Sequence, residues 1–163
     1  MISFQGGGAC WDKNSTTPRP LCTTNANAST AQSLVGIYAE NPPDSSTSGF
    51  EDYTVVELLY CSGDTHAGDV HRDYSLTKGG ENVIQSGYNN TMATIEWIRH
   101  QMDDGSLSKS LTSLVIIGQS AGSVAAQLWS DYLLKTFKYK SAIVIPDSFV
   151  AVAPAGFGKL LLQ

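Results

Sequence analysis

An α/β fold is what this sequence predicts: a parallel sheet with helices on both of its faces. Three observations carry the prediction. TVVELLY (54–60), LTSLVIIG (111–118) and SAIVIP (141–146) are apolar without polar alternation, as strands covered on both faces are. Stretches with apolar residues at helical spacing stand between them. Strands and helices that alternate along the chain build a parallel sheet, because each crossover lays a helix on it.

Taken in order, residues 1–4 are a strand remnant, and the glycine-rich turn QGGGACWD follows. Residues 12–30 are rich in Ser, Thr, Asn and Pro and read as loop. STAQSLVGIYAE (29–40) holds a short helix with Ser29 or Thr30 in the capping position. NPPDSSTSG (41–49) is a breaker. The strand at 54–60 leads into the polar loop CSGDTHAGD (61–69). Residues 82–102 set Val83, Ile84, Tyr88, Met92, Ile95, Ile98 and Met102 along one face of a long helix. After the strand at 111–118, Ser120 to about Phe137 carries Val124, Ala125, Leu128, Trp129 and Tyr132 on one helical face. The buried strand at 141–146 ends before Asp147, and no internal repeat is visible.

With 163 residues the chain suits one domain, taken as 1–163. The net charge of -5 gives no basis for binding nucleic acid or an anionic membrane, which need clustered Lys and Arg. The longest apolar runs are far too short to span a bilayer. Three cysteines, Cys10, Cys22 and Cys61, leave one thiol over if two are paired. N-x-[ST] sequons occur at Asn14, Asn27 and Asn89, two of them in a polar, loop-like segment where a glycan is accepted. Together these signs lean towards a secreted protein whose signal peptide is not in the chain.

Gly118-Gln119-Ser120-Ala121-Gly122 fits G-x-S-x-G between an apolar strand and a helix. Ser120 on such a corner is raised above the sheet as a candidate nucleophile. A side chain on either flanking glycine would collide with the neighbouring strand or helix. The following helix N-terminus favours developing negative charge. The bland reading is a tight turn with a capping serine. QGGGAC lacks the G-K-[ST] of a phosphate loop and the spacing G-x-G-x-x-G. It reads as the other half of an oxyanion hole, with N–H groups of Gly7 and Gly8 joining that of Ala121. Each donor there is worth about 3 kcal/mol of barrier. A flexible turn is the alternative.

FQGGGACWD, YCSGDTHAGD, GQSAGSVAA and PDSFV, in this order and at these separations, resemble the pectin acetylesterase/Notum family. The resemblance covers Phe4 to about Pro154 and is closest to microbial and protist-type members with a G-D-x-H-x-G loop. It implies an α/β-hydrolase fold and a secreted, monomeric serine carboxylesterase without cofactor or metal. The substrate implied is an acetylated polysaccharide such as pectin, deacetylated through an acyl-enzyme on Ser120. It also implies a Cys10–Cys22 disulfide beside the oxyanion loop; the distant partner that Cys61 usually has in the family is not present here, so Cys61 is expected to be unpaired. The animal branch's WYC is replaced here by GAC, which argues mildly against its lipid substrate.

In α/β-hydrolases the acid and histidine follow the serine. His66, His71 and His100 all precede Ser120, so the triad acid and base are expected beyond residue 163, in a chain incomplete at both ends of the sheet. Trp11, Asp64, His66 and Asp147 are candidates to line the pocket, Asp147 as a supporting residue and, less readily, as the acid. His66 stands as an alternative base. Asp64, His66, Asp69 and His71 make only a weak metal set, and His100 late in a helix reads as structural. Two competing readings remain: a catalytically incomplete or inactive binding module, and a Notum-like acyl-protein deacylase, which needs a deep apolar pocket.

Overall fold

A computed structural model describes residues 1–11, 15, 21–26, 49–73 and 82–148. Their elements run β1 (Ile2–Phe4), β2 (Val56–Leu58), β3 (Val70–Asp73), β4 (Asn82–Gln85), α1 (Gly87–Asp103), β5 (Leu111–Gln119), α2 (Ala121–Thr136) and β6 (Tyr139–Asp147). The expected helix at 29–40 lies outside the described residues, as does most of the loop at 12–30 and of the breaker at 41–49.

The fold is α/β. Four parallel strands form one sheet in the order β2-β1-β5-β6. In β1, Ile2 pairs with Val56 and Ile116, and Phe4 with Leu58 and Gly118. Side chains alternate across a strand, so these residues share a face. On it Ile2, Phe4, Leu58, Leu114 and Ile116 form a core with Ile95 and Ile98 of α1 and Ala125, Ala126, Trp129 and Leu133 of α2. Val115 and Ile117 point the other way and are buried too. Burial on both faces is the physical reason that β5 reads as an unbroken apolar run.

The structure corrects three details. The helix expected from residue 82 begins at Gly87; Asn82–Gln85 instead pairs antiparallel with Val70–Asp73. Val83 and Ile84 happen to continue the helical spacing, but Ile84 is 63% exposed and Gln85 is buried, a strand-like alternation. On α2, Leu128 and Tyr132 are exposed, and Ala126 and Leu133 take their places in the core. Among the described residues β6 is an edge strand with Ile143 half exposed, not a fully buried one.

Cys10 and Cys22 form a disulfide with Cα atoms 5.4 Å apart, and Cys61 carries a free thiol. The bridge is buried, and an isolated antiparallel pairing of Gly8 with Cys22 stands beside it. Closing so short a loop stabilises by about 3 kcal/mol in the chain-entropy model. Replacing both cysteines by serine is expected to lower unfolding free energy by about that amount in urea titrations. An unchanged midpoint would refute it.

Candidate active site

The apolar run of β5 stops where the chain must turn sharply. Ser120 has φ 55° and ψ -119°, a sparsely populated conformation for a residue with a side chain. Hydrogen bonds hold it there. The Ser120 N–H donates to the Asp147 carbonyl at 3.0 Å. The Ser120 carbonyl accepts from the Ser123 N–H at 3.0 Å and from the Ser123 hydroxyl at 2.5 Å. The flanking glycines are required by space. A Cβ on Gly118 would run into the Gly122 carbonyl, and one on Gly122 into the Phe4 carbonyl of β1. Helix α2 is thereby drawn against the sheet, and its first turn, whose leading amides at Ala121 and Gly122 have no carbonyl a turn earlier in the helix, starts directly at the exposed serine.

The glycine loop leaves the end of β1 and packs onto this corner. A Cβ on Gly6 would lie 2.6 Å from the Gln119 carbonyl oxygen and 3.2 Å from Ser120 Cβ. Gly8, at φ +72°, abuts the Leu21 carbonyl. The sheet explains the meeting. From β1 the chain continues to β2 on one side, while from β5 it continues to β6 on the other. Strands whose outgoing connections diverge leave a crevice between their carboxyl ends, where ligands bind in open α/β sheets. Ser120 and Gly6–Gly8 stand at the carboxyl ends of β5 and β1, the two strands whose connections diverge.

Asp64 and His66 were expected to line the pocket, but both side chains are turned inward. Asp64 is 4% exposed. Its Oδ1 accepts the Ser62 hydroxyl and the His66 N–H (3.1 Å); its Oδ2 accepts the N–H groups of Gly68 (3.1 Å) and Gly87 (2.7 Å). The last bond caps α1, whose own capping residue Ser86 makes no side-chain capping bond. A Cβ on Gly87 or Gly68 would strike the carboxylate.

His66 is 2% exposed, with Nε2 2.9 Å from the Gln5 carbonyl oxygen. A carbonyl only accepts, so Nε2 carries the proton and is not free to act as base towards Ser120. The ring stacks on Tyr60 at 4.6 Å and meets the edge of Phe4 at 5.3 Å. His71 is exposed on β3, and His100 is exposed in the last turn of α1. The Asp69 carboxylate accepts from Asn89 Nδ2 at 2.7 Å. Among the described residues no three His, Cys, Asp or Glu side chains are grouped as metal ligands. Trp11 is half-buried, with its backbone N–H donating to the Ser15 hydroxyl at 2.9 Å. Asp147 reaches Ser120 through its backbone, while its exposed carboxylate accepts the Ser148 hydroxyl at 3.0 Å.

Burial pushes the His66 pKa below its ordinary value, against smaller upward pulls from the Gln5 carbonyl and the Asp64 carboxylate. The Tyr60 phenol, also buried, is pushed up. Asp64 and Tyr60 are the titratable groups that face the imidazole. With its folded pKa depressed, His66 takes up a proton more readily in the unfolded chain. Stability is therefore full above pH about 6.5 and falls below it, by up to about 1.4 kcal/mol per pH unit. Urea midpoints between pH 4 and 8 should show this slope flattened in His66→Gln. Equal slopes would refute the assignment.

Sequence reasoning missed Gln5, Tyr60 and Ser123, and also Thr23, whose backbone N–H donates to the Gly7 carbonyl at 2.8 Å. In comparison with protein families, residues 1–152 match the family described as Pectinacetylesterase. No curated protein and no solved structure gives a significant match.

Proposed function

Since the chain belongs to the pectinacetylesterase family, a family of carboxylic ester hydrolases, we propose that it removes acetyl groups from a polysaccharide such as pectin through an acyl-enzyme on Ser120. One observation carries this reading above all: Ser120 sits on a strained, exposed corner at the head of α2, with the glycine loop packed against it.

The chemistry follows from that arrangement. The Ser120 hydroxyl oxygen attacks the acetyl carbonyl carbon while a base takes its proton. The carbonyl oxygen becomes an oxyanion, received by N–H groups of Gly7, Gly8 and Ala121. The bond to the sugar oxygen breaks, and the sugar hydroxyl leaves with the proton. Water then attacks acetyl-Ser120 and releases acetate. His66 is held on Gln5, and His71 and His100 lie on other elements. In this reading none of these three histidines is the base. Disulfides persist in oxidising compartments, and the buried Cys10–Cys22 bridge supports an extracellular site of action.

The test is to treat the full-length protein with a fluorophosphonate and map the adduct, while measuring acetate release from acetylated pectin. Labelling of the Ser120 peptide together with acetate release supports the reading. Labelling of another serine, or no acetate release, would overturn it.

A further inference from the structure

The glycine loop poses a physical problem. Glycine visits many backbone conformations, yet oxyanion donors must be held to within a fraction of an ångström, since a 1 Å error costs about 10²-fold in rate. Something must hold the loop. The structure places a buried Tyr60–His66 pair against it. The Gln5 carbonyl accepts from His66 Nε2 at 2.9 Å. The Gly8 carbonyl accepts from the Tyr60 hydroxyl at 2.9 Å. A trans peptide points its C=O and N–H in opposite directions, so gripping a carbonyl fixes the whole peptide plane. His66 fixes the plane of Gln5–Gly6, and Tyr60 fixes that of Gly8–Ala9. Between these two lie the peptides that carry the Gly7 and Gly8 N–H groups.

We propose that Tyr60 and His66 are positioning residues of the oxyanion loop, bracketing the two donor peptides from within the core. The inference rests on the esterase reading above. Three further observations support it. The Tyr60 N–H donates to the Gln5 side-chain oxygen at 2.8 Å, which ties the pair together at its base. Thr65 and His66 both have left-handed backbone, at φ 56° and 62°. Such strain persists only where the surroundings overdetermine it, and here they do. The Thr65 N–H donates to the Tyr60 oxygen at 2.8 Å, and the His66 carbonyl accepts from Thr91 on α1 (3.2 Å) and from Trp129 Nε1 on α2 (2.9 Å). The third is a separate grip, the Thr23 N–H on the Gly7 carbonyl at 2.8 Å, which turns the Gly8 N–H away from Thr23.

The test uses His66→Phe, which keeps the stacked ring and loses the donor, Tyr60→Phe, which loses only the hydroxyl, and His66→Gln, which keeps a donor near the Nε2 position. In the full-length protein, both Phe variants should lower kcat on an acetyl ester by roughly 10–100-fold with KM within about twofold. Affinity for an alkyl boronic acid, which forms a tetrahedral anion on the serine, should fall by the same factor. His66→Gln should recover most of both. Circular dichroism and thermal melts establish that each variant is folded at the assay temperature; if His66→Phe is not, Tyr60→Phe carries the test. Unchanged kcat, a loss confined to KM, or a loss that follows only the folded fraction would overturn the proposal. Activity retained in Ser120→Ala would instead remove the esterase reading itself, and the bracket with it.

Discussion

Ser120→Ala in the full-length protein should lower hydrolysis of p-nitrophenyl acetate by about 10⁴–10⁶-fold, because the groups of a serine-hydrolase site act as a unit. The fold should survive. Ser120 is exposed, and the interactions that hold the corner are made by its backbone N–H and carbonyl and by Gly118 and Gly122, none of which the substitution touches. Alanine at φ 55° is strained as serine is, so a stability change within about 1 kcal/mol is expected. The check is a matched pair of assays, turnover and urea unfolding, on the two proteins. An active alanine variant would show that the nucleophile lies elsewhere. An unfolded one would show that the serine side chain holds the corner.

Asp64→Ala should have the largest effect on stability, a loss of about 3–5 kcal/mol, which is a large share of what a domain of this size has. The substitution removes a buried acceptor and leaves four donors facing it: the Ser62 hydroxyl and the N–H groups of His66, Gly68 and Gly87. It also uncaps α1 and loosens the loop that carries His66. Asp69 lies in the same sequence loop but is exposed, with one bond to Asn89. Asp69→Ala should therefore stay within about 0.5 kcal/mol of the parent. Denaturant titrations of the two variants side by side decide the matter. Equal midpoints would mean that the Asp64 network contributes nothing.

That contrast also marks the boundary of what the sequence discloses. The parallel sheet, β5, α2 and the serine corner were legible because each rests on a local pattern: an apolar run, a helical period, two glycines around a serine. The inward loop at 61–69 was not. Ser62, Asp64, Thr65 and His66 read as a solvated stretch because such residues usually face water, yet all four are buried. They are tolerated inside because Asp64 and His66 meet backbone groups that would otherwise lack partners. No residue spacing announces that fit, since it depends on Gly87 arriving from another element. The β3–β4 ribbon was hidden for a related reason. Val83 and Ile84 suit a strand or a helix, and only pairing with residues 70–73 decides between them.

The position of β1 has a consequence for how the protein is made. This three-residue strand is the inner neighbour of both β2 and β5, and Phe4 pairs with Gly118, more than a hundred residues later. At translation rates of about 5–20 residues per second, β1 waits on the order of ten seconds for the β5 partner on its inner side. Contacts of such separation also slow folding, because a long loop must close before any of them stabilises it. During that interval the apolar segment Ile2–Phe4 is without its cover. Transiently exposed apolar surface is what makes nascent chains prone to aggregate, so a stall in synthesis before residue 118 prolongs that exposure.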